Sequence, residues 1–236
     1  MTETKLAEYK QQLTGKDAGQ ILGWSLKEFN PTQVVLASSF SIEDQVLTHM
    51  LSLISPTARI FTLDTGRQFQ ETYDVMQQTM ARYGICYELA VPAAEEVATL
   101  VAVAGPNAMY RSLADREACC AVRKMRPLAN ILAGVDAWIC GLRRDQALTR
   151  RQTDIIEWDW RHGNYKISPL ADWSEADVWR YIKDHEIPYN ALYDRGFRSI
   201  GCAPCTRATD CDEDIRAGRW WWEQAEHKEC GLHKKQ

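Results

Sequence analysis

The chain has 236 residues, 45% of them hydrophobic, which is enough for one large α/β domain or one domain with appendages. Its net charge of −4 argues against a nucleic-acid partner. No stretch approaches the roughly 18 uninterrupted apolar residues of a membrane span, and the N-terminus lacks the hydrophobic run of a signal peptide. We therefore expect a cytoplasmic protein with no membrane partner.

The predicted elements alternate along the chain. The first thirty residues have the pattern of one or two amphipathic helices, and Pro31 ends this segment. Short apolar runs predict four strands, at Val34–Ala37, Ala58–Leu63, Cys86–Val91 and Val135–Cys140. Helices are predicted between them, over Gln45–Leu53, over Gln68–Tyr83 and after Val91. This order predicts an α/β fold with a parallel sheet and helices on both faces.

The last predicted helix begins at Ser174 and runs to about His185, before Pro188. Ser174 and Asp177 are spaced as a capping box, in which each side chain accepts the backbone N–H of the other. The chain thus divides into an N-terminal helical segment (1–30), an α/β domain (31–210) and a tail (211–236) that is rich in charge and tryptophan.

Two loops at strand ends have the composition of a nucleotide site. In the first, Ser38 to Asp44, backbone amides and the hydroxyls of Ser38 and Ser39 precede a helix and could cradle a phosphate. In the second, Asp64-Thr65-Gly66 ends another strand. Ligands of open α/β sheets bind at the carboxyl ends of strands, so we expect the loops to converge. The alternative for the first loop is an ordinary serine-capped helix start.

Two pairs of arginines are candidates for binding an anion. Arg143 and Arg144 follow a strand end, and guanidinium groups match two oxygens of phosphate or sulfate at once. Arg216 and Arg219 recur at helical spacing and could face one anion. The alternative is surface charge. Next to them, Trp220–Trp222 cannot all be buried on one helix face; a structural role is favoured over stacking on a purine.

Four cysteines form two pairs. Cys119 and Cys120 are adjacent, and Cys202 and Cys205 are separated by two residues. The second pair alone would suit a redox dithiol or a zinc site. Adjacent cysteines project in different directions on a regular helix, so joining the first pair to one centre requires a distorted backbone. A [4Fe–4S] cluster offers each thiolate its own iron, which favours it over zinc.

Basic residues and a further cysteine complete the candidate site. Arg123 to Arg126 supply cations beside the first pair; Lys124 could reach an anionic substrate, whereas Arg126 fits a solvated helix face. Cys230 is a candidate nucleophile, and it needs a cationic pocket to lower its thiol pKa. The other cysteines are interpreted as packing residues or surface thiols: Cys86, Cys140 and Cys211.

Taken together, these motifs resemble the assimilatory adenylyl-sulfate (APS) reductases, which are related to the phosphoadenylyl-sulfate (PAPS) reductases, from about Leu22 to His233. The resemblance is carried by S-S-F-S-I-E-D, L-D-T-G-R-Q-F, C-C-A-V-R-K-M-R-P-L, G-L-R-R-D-Q, S-P-L-A-D-W, G-C-A-P-C-T-R, R-A-G-R-W-W-W and E-C-G-L-H. It implies an ATP-pyrophosphatase-like α/β fold. The two cysteine pairs distinguish the cluster-bearing branch, typically APS-using, from the PAPS reductases.

The resemblance also implies a reaction. Cys230 on the tail attacks the sulfur of APS, AMP leaves, and thioredoxin or a similar dithiol releases sulfite from the S-sulfocysteine, in sulfate assimilation and cysteine biosynthesis. It implies a [4Fe–4S] cluster on Cys119, Cys120, Cys202 and Cys205. It implies substrate contacts from Ser38, Ser39, Asp64, Gly66, Lys124, Arg143, Arg216, Arg219 and His233. A homo-oligomer is expected.

Several alternatives stay open. A PAPS or dual-specificity reductase would differ only in accepting a 3′-phosphate. A metal-stabilised nucleotide-binding module would lack turnover, and an ATP-dependent adenylating enzyme would form pyrophosphate. One departure from many relatives is Ser41, which stands where they have glycine; a positive φ there would cost about 1 kcal/mol.

Overall fold

A computed structural model describes residues 3–210 and 212–223 of the chain. The helices are α1 (Glu3–Leu13), α2 (Ala18–Glu28), α3 (Ile42–Ile54), α4 (Gln70–Tyr83), α5 (Ala94–Ala104), α6 (Leu113–Cys120), α7 (Arg126–Leu132) and α8 (Glu175–Asp184). The strands are β1 (Val34–Ala37), β2 (Arg59–Leu63), β3 (Glu88–Ala90), β4 (Ala137–Ile139), β5 (Ile156–Asp159) and β6 (Asn164–Ile167). No helix in the described ranges is long and apolar enough to cross a membrane.

The six strands form one mainly parallel sheet in the order β3-β2-β1-β4-β6-β5. β1 pairs in parallel with β2 and with β4, and β4 pairs in parallel with β6. The predicted α/β fold is confirmed, and the ends of the four predicted strands lie within two residues of those observed. Strands β5 and β6 were not predicted, and β5 adds one antiparallel pair at the edge of the sheet.

The β5–β6 hairpin has a local cause. Ile156-Glu157-Trp158-Asp159 alternates apolar and polar residues, as in a half-buried strand. At its end, Oδ1 of Asp159 accepts the backbone N–H groups of Arg161 (3.0 Å) and His162 (3.3 Å). These bonds close the turn, and a short turn joins only antiparallel strands.

The ends of α8 follow the prediction. Oγ of Ser174 accepts the backbone N–H of Asp177 at 3.1 Å, and Oδ2 of Asp177 accepts the backbone N–H of Ser174 at 2.9 Å. This is the predicted capping box. The first thirty residues form two helices, α1 and α2, as the amphipathic pattern indicates.

The chain divides into two compact units, each built from three segments. Unit 1 comprises Met1–Thr62, Glu71–Glu88 and Leu132–Ala191, and unit 2 comprises Leu63–Gln70, Leu89–Ile131 and the described residues of Leu192–Gln236. In unit 1 the apolar strand residues Val35, Leu36, Trp138 and Ile139 are at most 1% exposed, so the sheet is the centre of its core.

Unit 2 has a core of different composition. Met109, Cys202, Cys205 and Trp220 are all buried and pack together, and three partly buried residues contact them: Cys119, Cys120 and Trp222. All four paired cysteines therefore belong to one core in unit 2.

Candidate functional site

In unit 1, the loop between β1 and α3 is held by a carboxylate of the helix that follows it. Oδ2 of Asp44 accepts both the backbone N–H of Ser39 (2.7 Å) and its hydroxyl (2.8 Å). Ser41 is the N-cap of α3, and its Oγ accepts the backbone N–H of Asp44 at 3.3 Å. The loop thus caps a helix, as one alternative proposed, while Ser38 is 4% exposed and both donors of Ser39 are bonded to Asp44. Phosphate binding by these serines stays a prediction.

The positive φ considered for Ser41 occurs at the preceding residue, Phe40. Ser41 has φ −65°, which any residue adopts, whereas Phe40 has φ +60°. A non-glycine residue in this left-handed region costs of order 1 kcal/mol and is held by its surroundings. The Phe40 ring is 3% exposed and packs edge-on against Tyr87, with ring centroids 5.0 Å apart. Serine at position 41 is therefore unstrained.

The carboxyl group of Asp44 is buried and has a raised pKa. It is 5% exposed, and burial raises its pKa to about 6 in spite of the hydrogen bonds from Ser39, which lower it. Gly141, at the end of β4, abuts the same carboxylate: an added Cβ would lie 2.6 Å from Oδ1 of Asp44 and 2.7 Å from Cβ of Glu43. Only glycine allows this close approach.

Both adjacent arginines of the β4 loop are engaged within unit 1. Arg143, a predicted substrate ligand, is 2% exposed, and its Nε donates to Oε1 of Glu43 at 2.8 Å. Arg144 donates from Nε to the carbonyl of Thr153 (2.7 Å) and forms an ion pair with Asp172. The buried partner of Arg143 lies 100 residues away in sequence.

In unit 2, the four paired cysteines line one pocket, called the cysteine pocket below. Cys119 and Cys120 are the last residues of α6, and Cys202 and Cys205 flank a short 3₁₀ turn. All four are free thiols. The pocket is also lined by Arg67, Met109, Arg116, Arg123, Lys124, Pro204, Arg219 and Trp220.

A π-helical turn follows the adjacent cysteines directly. Ala121–Met125 forms this turn between α6 and α7. Wider turns of this kind interrupt regular helices and frequently occur at functional sites. The distortion lies directly after the adjacent pair, which itself ends the regular helix α6, and Arg123 and Lys124 of the π-helical turn line the cysteine pocket.

Burial opposes the ionisation of two thiols in the cysteine pocket. Within residues 3–210 and 212–223, no three His, Cys, Asp or Glu side chains are placed to hold a single metal ion. Burial raises the pKa of Cys119, and it raises that of Cys205 to about 11, with Cys202 adding to the effect and Arg219 and Lys124 opposing it. Ionisation of these two thiols would therefore need compensating positive charge.

Two guanidinium groups contact a buried indole that lines the cysteine pocket. Arg116 and Arg219 lie 4.8 and 4.7 Å from the ring centre of Trp220, which is 1% exposed and has φ +42°. Arg116 also forms a two-bond ion pair with Glu223, both at 2.9 Å. Arg219 packs on Gly201, where an added Cβ would overlap its guanidinium.

The Asp64-Thr65-Gly66 loop also contacts the cysteine pocket. The carboxylate of Asp64 accepts the backbone N–H of Gly66 (2.8 Å), whose φ of +69° suits glycine. Oγ1 of Thr65 lies 3.2 Å from Sγ of Cys202, and Arg123 donates to the carbonyl of Thr65 at 2.7 Å. The contacts of Thr65 have no signature in the sequence.

The predicted residues fall into three groups. Unit 1 holds Ser38, Ser39 and Arg143 near the first turn of α3. Unit 2 brings the four cysteines together with Lys124 and Arg219 in the cysteine pocket, beside the loop of Asp64 and Gly66. Arg216 lies in unit 2 on a turn, not on the predicted helix, and does not line this pocket. Outside the described residues lie Cys211, Cys230 and His233.

The remaining predictions concern packing. Trp220 is buried and Trp221 is 40% exposed, so the three consecutive indoles are not all buried, as predicted. Arg126 is exposed and pairs with Glu96, as expected for a solvated helix face. Cys86 is exposed and Cys140 is buried, which agrees with a surface thiol and a packing residue.

The described residues combine a mainly parallel α/β sheet with, in unit 2, a pocket lined by four cysteines. Residues 33–208 match the phosphoadenosine phosphosulfate reductase domain family, and the chain belongs to that family. It is 48% identical to an adenosine 5′-phosphosulfate reductase of Allochromatium vinosum (86% of this chain, 79% of the relative). It is 47% identical to one of Burkholderia cepacia (85% and 80%).

Solved structures share the fold. A phosphoadenylyl-sulfate reductase from Candida auris, solved as a phosphate complex, superposes with a TM-score of 0.73 at 24% identity, over 86% of this chain and 96% of that chain. An FMN adenylyltransferase from Candida glabrata gives a TM-score of 0.56 at 16% identity, over 90% of this chain and 70% of that chain.

Proposed function

We propose that this chain reduces adenylyl sulfate to sulfite and AMP in sulfate assimilation, and so supplies sulfur for cysteine biosynthesis. The cysteine pocket carries the proposal: four free thiols in one cation-lined pocket, in a chain nearly half identical to proteins named adenosine 5′-phosphosulfate reductase. A phosphoadenylyl-sulfate or dual-specificity reductase is the alternative within the family.

The proposed cofactor is a [4Fe–4S] cluster held by Cys119, Cys120, Cys202 and Cys205. When bound, it supplies a compact, polarisable charge beside the substrate. Support comes from the gathering of the four thiols in one pocket and from the π-helical turn that directly follows the adjacent pair. Arg67, Arg116, Arg123 and Lys124 would offset the negative charge of four thiolates.

The proposed chemistry uses the thiolate of Cys230 as nucleophile. It forms a bond to the sulfur of adenylyl sulfate while the bond from that sulfur to the phosphate oxygen breaks, and AMP leaves with the electron pair. A thioredoxin thiolate then attacks Sγ of the S-sulfocysteine and expels sulfite. The second thioredoxin thiol releases Cys230, so the dithiol is oxidised by two electrons and the sulfur is reduced by two.

Substrate contacts are proposed for two kinds of residue. The phosphosulfate would be bound by Lys124, Arg216, Arg219 and His233. Negative charge builds up on the phosphate of AMP as its bond to the sulfur breaks, and these side chains would stabilise that charge. Contacts with the nucleotide are proposed for Ser38, Ser39 and Arg143 in unit 1 and for Asp64 and Gly66 in unit 2. Since Arg143 is buried in an ion pair with Glu43, its contribution would come through the loop it anchors.

We further propose that the reaction takes place in the cytoplasm, with thioredoxin or a similar dithiol as partner and a homo-oligomer as the working form. A reducing compartment would keep eight cysteines available for ligation and catalysis.

A trapping experiment tests the proposal. Anaerobically purified protein is mixed with adenylyl sulfate without reductant, and its mass is measured. We expect one added SO₃ on Cys230, released as sulfite by thioredoxin. Cys230→Ser should form no adduct, while Cys86→Ser, which changes an exposed cysteine, should behave like the wild type. Nucleotide binding without an adduct would indicate a binding module without turnover.

A further inference from the structure

The first turn of α3 carries two adjacent buried carboxylates that fasten two different loops of unit 1. Glu43 is 4% exposed, and its Oε1 accepts Nε of Arg143 (2.8 Å) and Nε2 of Gln146 (2.9 Å). Asp44 is 5% exposed, and its Oδ2 accepts the backbone N–H and hydroxyl of Ser39. One acid therefore holds the loop after β4, and its neighbour holds the loop after β1.

Further contacts lock the β4 loop against the same helix turn. Oε1 of Gln146 accepts the backbone N–H of Arg143 (3.1 Å), and its Nε2 also donates to the carbonyl of Gly141 (3.3 Å). Gly141 lies so close to Glu43 and Asp44 that no side chain fits there. The two loops and the helix start thus form one connected arrangement.

Ordinary helix capping does not account for Asp44. Ser41 already caps α3 by accepting the backbone N–H of Asp44. The Asp44 carboxylate instead turns back to Ser39, five residues earlier. Burying a carboxylate is costly unless its charge is compensated, and hydrogen bonds to Ser39 compensate it only in part. Such a cost is typical of groups that fix a site's geometry.

We propose that Glu43 and Asp44 are positioning residues: they hold the Ser38–Ser41 and Gly141–Gln146 loops in the conformation that binds the nucleotide, without contacting it themselves. The inference rests on the proposed function for the identity of the nucleotide. That Glu43 and Asp44 hold the two loops does not depend on the proposed function. A competing role for the same acids is a charge filter that repels an additional phosphate on the substrate.

The first test concerns the loops alone. Amide hydrogen exchange of substrate-free protein is compared for wild type, Asp44→Asn and the control Asp154→Asn, which changes an exposed aspartate paired with Lys10. We expect roughly tenfold faster exchange at 38–42 in Asp44→Asn only, as a charge-assisted bond is lost. Unchanged exchange there would overturn the inference, whatever reaction the protein catalyses.

The second test measures binding and turnover. Asp44→Asn should weaken binding of AMP and raise KM for adenylyl sulfate about tenfold, with kcat nearly unchanged. The ratio of kcat/KM between adenylyl sulfate and phosphoadenylyl sulfate should stay the same. A selective gain for phosphoadenylyl sulfate would instead indicate the charge filter and overturn the positioning role. Absence of turnover with either substrate would count against the proposed function. In that case the affinity for AMP, compared between wild type and Asp44→Asn, would still test the positioning role.

The third test separates positioning from mere structural support. The wild-type KM should rise as the pH falls through about 6, where Asp44 takes up a proton, and the Asp44→Asn profile should be flat there. The groups that face this carboxyl are Glu43 on the same turn and the hydroxyl of Tyr87. The thermal midpoint of Asp44→Asn at pH 7.5 should not fall; a lower midpoint with proportional loss of kcat would contradict the inference.

Discussion

Oγ1 of Thr65 and Sγ of Cys202 lie 3.2 Å apart and join the Asp64-Thr65-Gly66 loop to the second cysteine pair. They are 137 residues apart in sequence. Arg123 of the π-helical turn, which follows the first cysteine pair, donates to the carbonyl of the same threonine. Thr65 therefore contacts Cys202 of the second pair and the turn next to the first pair. A strand-end loop expected near the nucleotide is thus connected to the expected cofactor ligands within unit 2.

The hydroxyl of Thr65 should stabilise the loaded cysteine pocket. Thr65→Val keeps the side-chain shape and removes the hydroxyl, at a cost of about 1 kcal/mol. We expect a changed visible spectrum and faster loss of iron on dilution, measured anaerobically. Thr65→Ser retains the hydroxyl and should match the wild type; equal iron loss from both variants would show that the contact is not important.

Gly201 should be required for the position of Arg219. An added methyl group at this glycine overlaps the guanidinium, which must move. We expect Gly201→Ala to raise KM for adenylyl sulfate at least tenfold, as a charge-assisted contact is worth roughly 1.5–3 kcal/mol. The matched control is Gly23→Ala in α2, where nothing lies within 4 Å of the added carbon. That variant should keep KM and gain about 0.5–1 kcal/mol of stability.

The buried ion pair between Arg116 and Glu223 should stabilise unit 2. Both side chains are at most 7% exposed, and Glu223→Gln removes the carboxylate charge that compensates the buried guanidinium of Arg116. We expect Glu223→Gln to lower the free energy of unfolding by about 3 kcal/mol. In denaturant titrations, Asp154→Asn, which breaks the exposed pair with Lys10, should cost less than about 1 kcal/mol. Similar losses would refute a special role for the buried pair.

The four paired cysteines should be equivalent for retention of the cofactor. Replacing any one of them by serine should abolish the brown colour and the bound iron and destabilise the surrounding core. Cys86→Ser and Cys140→Ser, which change cysteines outside the cysteine pocket, should retain full iron content. Iron retained in the Cys120→Ser variant would contradict the four-ligand assignment.

The buried carboxyl of Asp44 should make stability depend on pH in a defined direction. Its pKa of about 6 in the folded chain exceeds its ordinary value of 3.8. Between these values the folded chain holds the proton and the unfolded chain does not, so the free energy of unfolding should fall by about 3 kcal/mol as the pH rises from 4 to 6. Asp44→Asn should lack this decrease. Parallel stability curves for the two proteins would be inconsistent with the raised pKa.

Local patterns predicted most of the fold. The apolar run Val34–Ala37 is the observed β1, and the Ser174–Asp177 capping box is present because both of its bonds join residues three apart. The alternation in Ile156–Asp159 was a usable signal for the missed β5. By contrast, the ends of β3 and β4 depend on which neighbouring strand they pair with, which a short apolar run does not specify.

The contacts that shape the site were beyond sequence reasoning. Arg143 pairs with Glu43 across 100 residues, and Thr65 contacts Cys202 across 137. Such pairs leave no local periodicity, and both arginine and threonine are common in exposed loops. The adjacent cysteines indicated a distorted backbone in their neighbourhood, but the sequence did not predict the π-helical turn that follows them, because it depends on tertiary packing.

Sulfite release tests the central claim most directly. Anaerobically purified brown protein is assayed with thioredoxin and either adenylyl sulfate or phosphoadenylyl sulfate, alongside Cys230→Ser. We expect sulfite from adenylyl sulfate at a far higher kcat/KM than from phosphoadenylyl sulfate, and none from the variant although its iron content is unchanged. Sulfite mainly from phosphoadenylyl sulfate would contradict the proposed substrate, and undiminished sulfite from Cys230→Ser would contradict the proposed mechanism.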